Sequence, residues 1–266
     1  MDLNTSVAAR IRTMTEESDF ESAAGLNRAL RLLAIWRSKL IEREIIARHG
    51  PVVLNGPFAG MRFRSEAAEG CLAAKLLGCY EAQLHPFLLE AAAASYDDIV
   101  DIGCAEGYYA VGLARLARGG RIHAYDTNPG AQAACRDLAE LNAVADRVAV
   151  GGVFHGDDFA RFADGRTLVI IDIEGAEDAL LRPDLHSALA RMSVLVECHD
   201  VFRPGLCEAL AARFRATHAV RRIDQVLTPP TLPSWFERTT HLDQVLAMWE
   251  WRSGPTPWLV MTPQGQ

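Results

Sequence analysis

From Asp97 onward, short apolar runs alternate with longer stretches of helical period, and this alternation is the strongest pattern in the chain. Strands are predicted over Asp98 to Asp101, Arg121 to Asp126, Val148 to Val153, Thr167 to Asp172 and Ser193 to Glu197. Helices are predicted between them, near Tyr109 to Ala117, Ala131 to Leu141, Asp158 to Phe162, Ala176 to Ala190 and Pro204 to Ala216. Strands alternating with helices imply a mostly parallel sheet with helices on both faces. Arg221 to Leu227 and Trp258 to Met261 are candidates for two final strands, separated by a stretch rich in proline and aromatic residues.

Upstream, Phe20 to Arg48 carries Leu30, Leu33, Trp36, Leu40, Ile45 and Ile46 at helical spacing, an amphipathic helix or helix pair that His49-Gly50-Pro51 ends. Val52 to Phe63 reads as a hairpin or irregular extended segment, and Glu66 to Ala94 returns to helical composition with a joint at Gly78-Cys79-Tyr80-Glu81. The chain thus divides into a helical cap with a short hairpin over 1–95 and an α/β domain over 96–266, with a lid-like insertion near 228–257. The cap either covers the sheet or pairs with a second copy, which makes the N-terminal helices a candidate homodimer surface.

Composition narrows the partners. Half of the 266 residues are hydrophobic, ample for a sizeable core, and 27 Lys and Arg against 34 Asp and Glu give a formal charge of −7. A net negative chain has no global field for nucleic acid or an anionic membrane, so a small molecule is the expected partner. Cys71, Cys79, Cys104, Cys135, Cys198 and Cys207 lack CxxC spacing and read as reduced core residues. No stretch has the make-up of a signal peptide or a membrane span, and a cytoplasmic location is the expectation.

The polar residues at the predicted strand ends gather on one rim. Asp101 precedes a turn from Gly103 to Gly107, Asp126 ends the second strand, Asp157 and Asp158 follow the third, Asp172 and Glu174 the fourth, and Glu197, His199 and Asp200 the fifth. Ligands of such sheets bind at the carboxyl ends of the strands. Glycines at 103 and 107 permit close backbone approach, and an acid about 20 residues beyond such a turn can accept hydrogen bonds from the ribose hydroxyls of an adenosine-type ligand. Asp126 fits that role, whereas GCAEGYY lacks the third glycine of a GxGxxG dinucleotide turn, which disfavours a nicotinamide-dependent reductase. Tyr80 and Glu81, shortly before this strand, are within reach of the same ligand. His199 is the candidate general base, oriented by Asp172, Glu174 or Asp200, with a helix cap or a backbone partner as its alternative role. Asp172, Glu174, Glu197, His199 and Asp200 also offer donors suited to Mg²⁺ or Mn²⁺. Trp235, Phe236, Trp249, Trp251 and Trp258 are candidates for an acceptor wall.

The turn DIGCAEGYY is similar to the GxGxG-type motif of class I methyltransferases, with Ala105 in place of the middle glycine. Together with AYDTNP and IIDIEGAEDALL it resembles the FkbM-type family of S-adenosylmethionine-dependent methyltransferases, and GPFAGMRF and LLGCYE look like a bacterial subgroup of it. The likeness runs from about Gly56 to Asp200. It implies a Rossmann-like sheet of seven strands with the last one reversed, and methyl transfer to a small molecule, often a hydroxyl of a sugar or natural product. It also implies that Asp101, Gly103, Ala105 and Gly107 hold the methionine part of S-adenosylmethionine, Asp126 its ribose, and Asp157 with Asp158 its adenine amino group. Asp172 and Glu174 would then line the methyl-transfer site. A non-catalytic adenosine-ligand-binding or assembly protein on the same fold is the alternative.

Overall fold

β-Branched and aliphatic runs form the sheet where they are predicted, because each is short enough to be buried on both faces between helices. The computed structural model describes residues 2–64, 70–226 and 231–265. In chain order the elements are α1 (Leu3–Thr15), α2 (Ala23–His49), α3 (Leu72–Leu77), α4 (His85–Ala93), β1 (Asp98–Ile102), α5 (Tyr108–Leu116), β2 (Arg121–Tyr125) and α6 (Pro129–Leu141). They continue with β3 (Val148–Gly151), β4 (Thr167–Ile171), α7 (Glu177–Leu180), β5 (Ser193–Glu197), α8 (Leu206–Phe214), β6 (His218–Ile223), α9 (His241–Met248) and β7 (Trp258–Pro263).

The seven strands lie in the order β3-β2-β1-β4-β5-β7-β6. All neighbours from β3 to β5 are parallel, and β7 runs antiparallel to both β5 and β6. This is the doubly wound, Rossmann-like sheet with a reversed last strand that the sequence leads one to expect. Alternation along the strands splits the core in two. Ile99, Ile122, Leu168, Ile170 and Leu195 face a cluster that includes Ile45 of α2, Leu76 of α3, Leu113 of α5 and Leu138 of α6. Val100, Ile102, Val169, Ile171 and Val194 face the other, with Phe159, Leu181, Leu210 and Phe214.

Several boundaries differ from the pattern. The Ala176 to Ala190 helix is broken: α7 is one turn, and a 3₁₀ segment follows only at Ser187–Arg191. Pro183 lies between them, with no N–H to continue a helix and a ring that disfavours helical backbone before it. The predicted Asp158 to Phe162 helix is a 3₁₀ segment over Gly156–Phe162. β6 starts three residues earlier than predicted and ends at Ile223, while Leu227 lies outside the described residues. So do residues 65–69, where the predicted Glu66 to Ala94 helical stretch begins, and residues 228–230 at the start of the insertion. The N-terminal segment holds a helix, α1, that the pattern did not reveal; Trp36 Nε1 of α2 donates to its Asn4 Oδ1 at 2.7 Å.

From residue 231 onward, the tail docks on the cap. Arg37 of α2 grips Asp243 of α9 through Nε and Nη2 at 2.6 and 2.7 Å, and the Thr240 hydroxyl accepts from the Asp243 N–H at the start of α9. What matters for the site is register. Ile102 stands level with Tyr125 and with Ile171, so the residues after β1, β2 and β4 open onto one rim.

Candidate functional site

The glycine turn is shaped by its neighbours. Gly103, Ala105 and Gly107 all have positive φ, at +85°, +46° and +93°. A Cβ on Gly103 would lie 1.7 Å from the Asp172 carbonyl oxygen, so this glycine lets the turn pack on the end of β4. The close backbone approach expected of this glycine is made to the end of β4, and the residue also lines the cavity described next. Gly103 and Cys104 N–H groups both donate to the Tyr125 carbonyl, at 2.8 and 3.0 Å. Asp126 accepts from the Ala105 N–H at 3.0 Å through Oδ2 and from the Asn128 N–H at 2.8 Å through Oδ1. Beneath the turn, Glu106 pairs with Lys75 of α3, both buried, and the Lys75 ammonium lies 5.0 and 5.6 Å from the Tyr80 and Tyr108 ring centres.

Above the rim lies a cavity of about 530 Å³, lined among others by Gly103, Tyr125, Asp126, Phe154, Asp172, Glu174 and Leu180. Of its three lining carboxylates, Asp126 is oriented by two backbone donors, and the lining is apolar where Phe154 meets Tyr125 edge to face. Of the residues expected to hold a cofactor, Gly103 and Asp126 reach this cavity. Asp101 is buried in β1, and Ala105 and Gly107 shape the turn from behind. Asp157 and Asp158 do not line it. The Asp157 side chain is fully exposed 3.5 Å from His186, and Asp158 caps its own 3₁₀ segment by accepting from the His155 N–H at 2.9 Å. Strand β3 ends at Gly151, two residues short of the predicted end, and this turns the pair outward.

A second cavity of about 270 Å³ adjoins the first and shares Asp172 and Glu174 with it. Its other walls include Tyr80, Glu197, His199, Phe202, Trp251 and Arg252. His199 is 4% exposed, and its Nδ1 lies 2.6 Å from Oε1 of the fully buried Glu177. Nε2 looks the other way, 3.5 Å from Asp172, 3.6 Å from Glu174 and 3.6 Å from Glu197. Burial pulls the imidazole toward neutrality, but the Glu177 hydrogen bond and the Asp172 and Glu174 charges outweigh it and raise its pKa. Burial likewise works against the Glu177 carboxylate, and its bonds from His199 and the Gly175 N–H prevail and lower its pKa. The Glu177 tether on Nδ1 leaves Nε2 as the ring nitrogen that faces the cavity. Burial, reinforced by Glu81, pushes Asp172 up to about 7.

Three of the four residues expected to do chemistry, Asp172, Glu174 and His199, therefore meet at the junction of the two cavities. Asp200 does not: its Oδ1 accepts from the Cys207 N–H at 3.2 Å in the first turn of α8, a helix-capping role. Tyr80 walls the second cavity and not the first. Glu81 is buried beneath both, bonded to the Tyr109 hydroxyl and the Arg252 guanidinium, so it is an anchor and not a ligand contact. Among the aromatic residues expected to wall the site, Trp251 does so; Trp258 and Phe236 are core, and Trp235 stacks on His49.

Two residues escaped the sequence reading. Glu177 is the last acid of IDIEGAE and was assigned no role; its position five residues after Asp172 returns it to the same rim. Arg252 lies in the tail and binds Glu81, Glu197, Glu250 and Thr256 at once. One arginine among the aromatic residues of WEWRSGP was its only signal.

No family profile and no curated protein matches the sequence. Solved structures do match in part. The O-methyltransferase TomG from Streptomyces achromogenes, involved in tomaymycin synthesis and in complex with SAM, is 14% identical over 87% of this chain and 90% of its own, with a TM-score of 0.48. An O-methyltransferase from Bacillus cereus in complex with SAH is 13% identical over 86% and 90%, with a TM-score of 0.44. An rRNA methylase from Streptococcus thermophilus is 11% identical over 69% and 97%, with a TM-score of 0.45. Likenesses this distant leave the reading of the site to its own geometry.

Proposed function

We propose that the chain is an S-adenosylmethionine-dependent methyltransferase of the FkbM type, acting on a hydroxyl of a small molecule such as a sugar or natural product. The observation that carries this reading is the pair of adjoining cavities that share Asp172 and Glu174. One cavity has the features of an adenosine-ligand site, and the other is polar and narrower, so groups bound in each would meet across two carboxylates.

The donor set of the larger cavity fits the cofactor. Asp126 would hold the ribose hydroxyls, the turn beginning at Gly103 would border the methionine part, and Phe154 with Tyr125 would offer the apolar wall an adenine ring requires. When bound, S-adenosylmethionine supplies a methyl group on a sulfonium whose departure leaves a neutral thioether, so the protein has no leaving group to protonate. What remains for the chain is to position the acceptor and draw the proton from its oxygen. Asp172 and Glu174 present carboxylate oxygens at the junction for both tasks. His199, held by Glu177, fixes the electrostatics around them. The net charge of −7 supports a small-molecule acceptor over a nucleic acid.

Calorimetric titration of the purified chain with S-adenosylhomocysteine tests the cofactor site, and formation of that product from S-adenosylmethionine across a panel of hydroxylated acceptors tests the chemistry. One-to-one binding and turnover with one acceptor class are expected. A folded protein that ignores the nucleoside product and binds a nicotinamide dinucleotide instead would overturn the reading, and binding without turnover on any acceptor would favour a non-catalytic role.

A further inference from the structure

The second cavity contains more carboxylates than its cations can neutralise in pairs. Arg252 takes two of them and one buried acid outside the lining: its Nε donates to Glu250 at 2.8 Å, and its two terminal nitrogens reach Glu197 and the buried Glu81. Asp172 and Glu174 lie outside that set and face Nε2 of the His199 imidazole, while Arg31, the other arginine lining this cavity, donates to the Trp251 carbonyl. The imidazole is buried, with Nδ1 fixed by Glu177, so Nε2 has a single direction in which to point. Among the described residues Nε2 makes no hydrogen bond; the oxygens it faces lie at 3.5 and 3.6 Å, beyond good hydrogen-bonding distance.

Those separations suit an ion between the groups. Donor atoms bound at about 2.1 Å to one octahedral cation lie about 3.0 Å apart when adjacent and about 4.2 Å apart when opposite. One donor atom each from Asp172, Glu174 and His199 lie within 4.8 Å of one another. The Glu177–His199 contact is the outer-shell carboxylate that commonly orients a metal-binding imidazole and leaves its far nitrogen free to ligate. We infer that Asp172, Glu174 and His199 form a binding site for an octahedral divalent cation of the Mn²⁺ class, with Glu177 as the positioning residue. Two hard oxygens and one imidazole suit Mn²⁺ better than Ca²⁺, whose sites are built from oxygen donors.

The ion's presence rests on these residues alone; its use rests on the methyltransferase reading. Three protein donors leave room for the acceptor's hydroxyl oxygen, and an ion there lowers that hydroxyl's pKa. The hydroxyl proton passes to the carboxylate oxygen of Glu174 that does not bind the ion, and from this exposed side chain to solvent water. The oxygen's electron pair then forms the O–C bond as the C–S bond breaks, and the pair from that bond stays on sulfur. His199 is a ligand in this scheme and not the base.

The test is titration of the metal-stripped, full-length chain with Mn²⁺ alone, followed by the electron paramagnetic resonance signal of the free ion. One site per chain is expected. Asp172→Asn and His199→Ala should abolish it, and Glu177→Gln should weaken it by about 10- to 100-fold. Glu250→Gln, an acid of the same cavity outside the triad, should leave the affinity within about twofold. Circular dichroism and S-adenosylhomocysteine binding, read on each variant, separate loss of the site from loss of the fold. Absence of stoichiometric Mn²⁺ binding, or equal weakening by Glu250→Gln and Asp172→Asn, would overturn the site. Intact nucleoside binding in a chain that fails to take up Mn²⁺ removes the ion and leaves the methyltransferase reading standing; the converse result does the opposite.

Discussion

The Asp172 carbonyl oxygen occupies the space that a side chain on Gly103 would need. The start of the glycine turn is thereby fixed against the end of β4, the segment that carries the junction carboxylates. Gly103→Ala would introduce a Cβ 1.7 Å from a backbone atom at a φ of +85°, and neither strand can retreat without breaking the sheet. The cost should exceed about 3 kcal/mol, from steric displacement added to the left-handed penalty. Urea unfolding of the variant measures it, and a loss below about 1 kcal/mol would show that β4 yields.

The buried Lys75–Glu106 pair clamps the same turn from below. Loss of either partner removes the charge that the other faces at this contact, so Lys75→Met and Glu106→Leu should each cost about 3 kcal/mol, while the double replacement should cost less than the sum of the two. A double-mutant cycle in urea provides the comparison. Simple additivity of the two single losses would mean that the pair is not coupled.

Nucleoside affinity should separate the acids at the strand ends. Asp126→Ala removes a carboxylate that lines the larger cavity and orients Ala105, and should weaken S-adenosylhomocysteine binding by about 10- to 100-fold. Asp157→Ala, on the outer surface, should leave affinity within about twofold. A larger effect at Asp157 than at Asp126 would restore the adenine role expected from the sequence.

The contrast between those two residues shows what a sequence can convey. Strand positions are legible because burial on both faces demands unbroken apolar runs, and five such runs found their places. The rim is legible too, since Asp126 and Asp172 follow a strand directly, His199 comes two residues after one, and the parallel register carries them to one edge. Asp157 and Asp158 follow a strand that ends early, and once the chain leaves the sheet no periodicity reports which way a side chain turns. Arg252 is distant in sequence from every residue it binds except Glu250 and Thr256, and pairing of that kind is settled by tertiary packing alone. Glu177 was hidden differently: its motif was visible, but only the fold shows that the last acid holds a histidine from the next strand.

Stability should fall as pH rises through the range where Glu250 titrates. Burial, reinforced by the neighbouring Glu81 charge, pushes its carboxyl up to about 7 from an ordinary 4.5. The folded chain therefore keeps a proton there that the unfolded chain has already released between those two values. A group of this kind favours folding fully below the lower pKa and loses that contribution as pH climbs through the upper one, by at most about 1.4 kcal/mol per unit of pH. Asp172 is shifted the same way and keeps its carboxyl in both proteins, so comparison of wild type with Glu250→Gln reads the loss of the titrating group at position 250. Whatever the variant's absolute stability, wild type should lose more unfolding free energy between pH 5 and about pH 7 than Glu250→Gln does. Urea unfolding at the two pH values gives both slopes, and identical slopes would mean that Arg252 and Gln225 keep Glu250 ionised across the whole range.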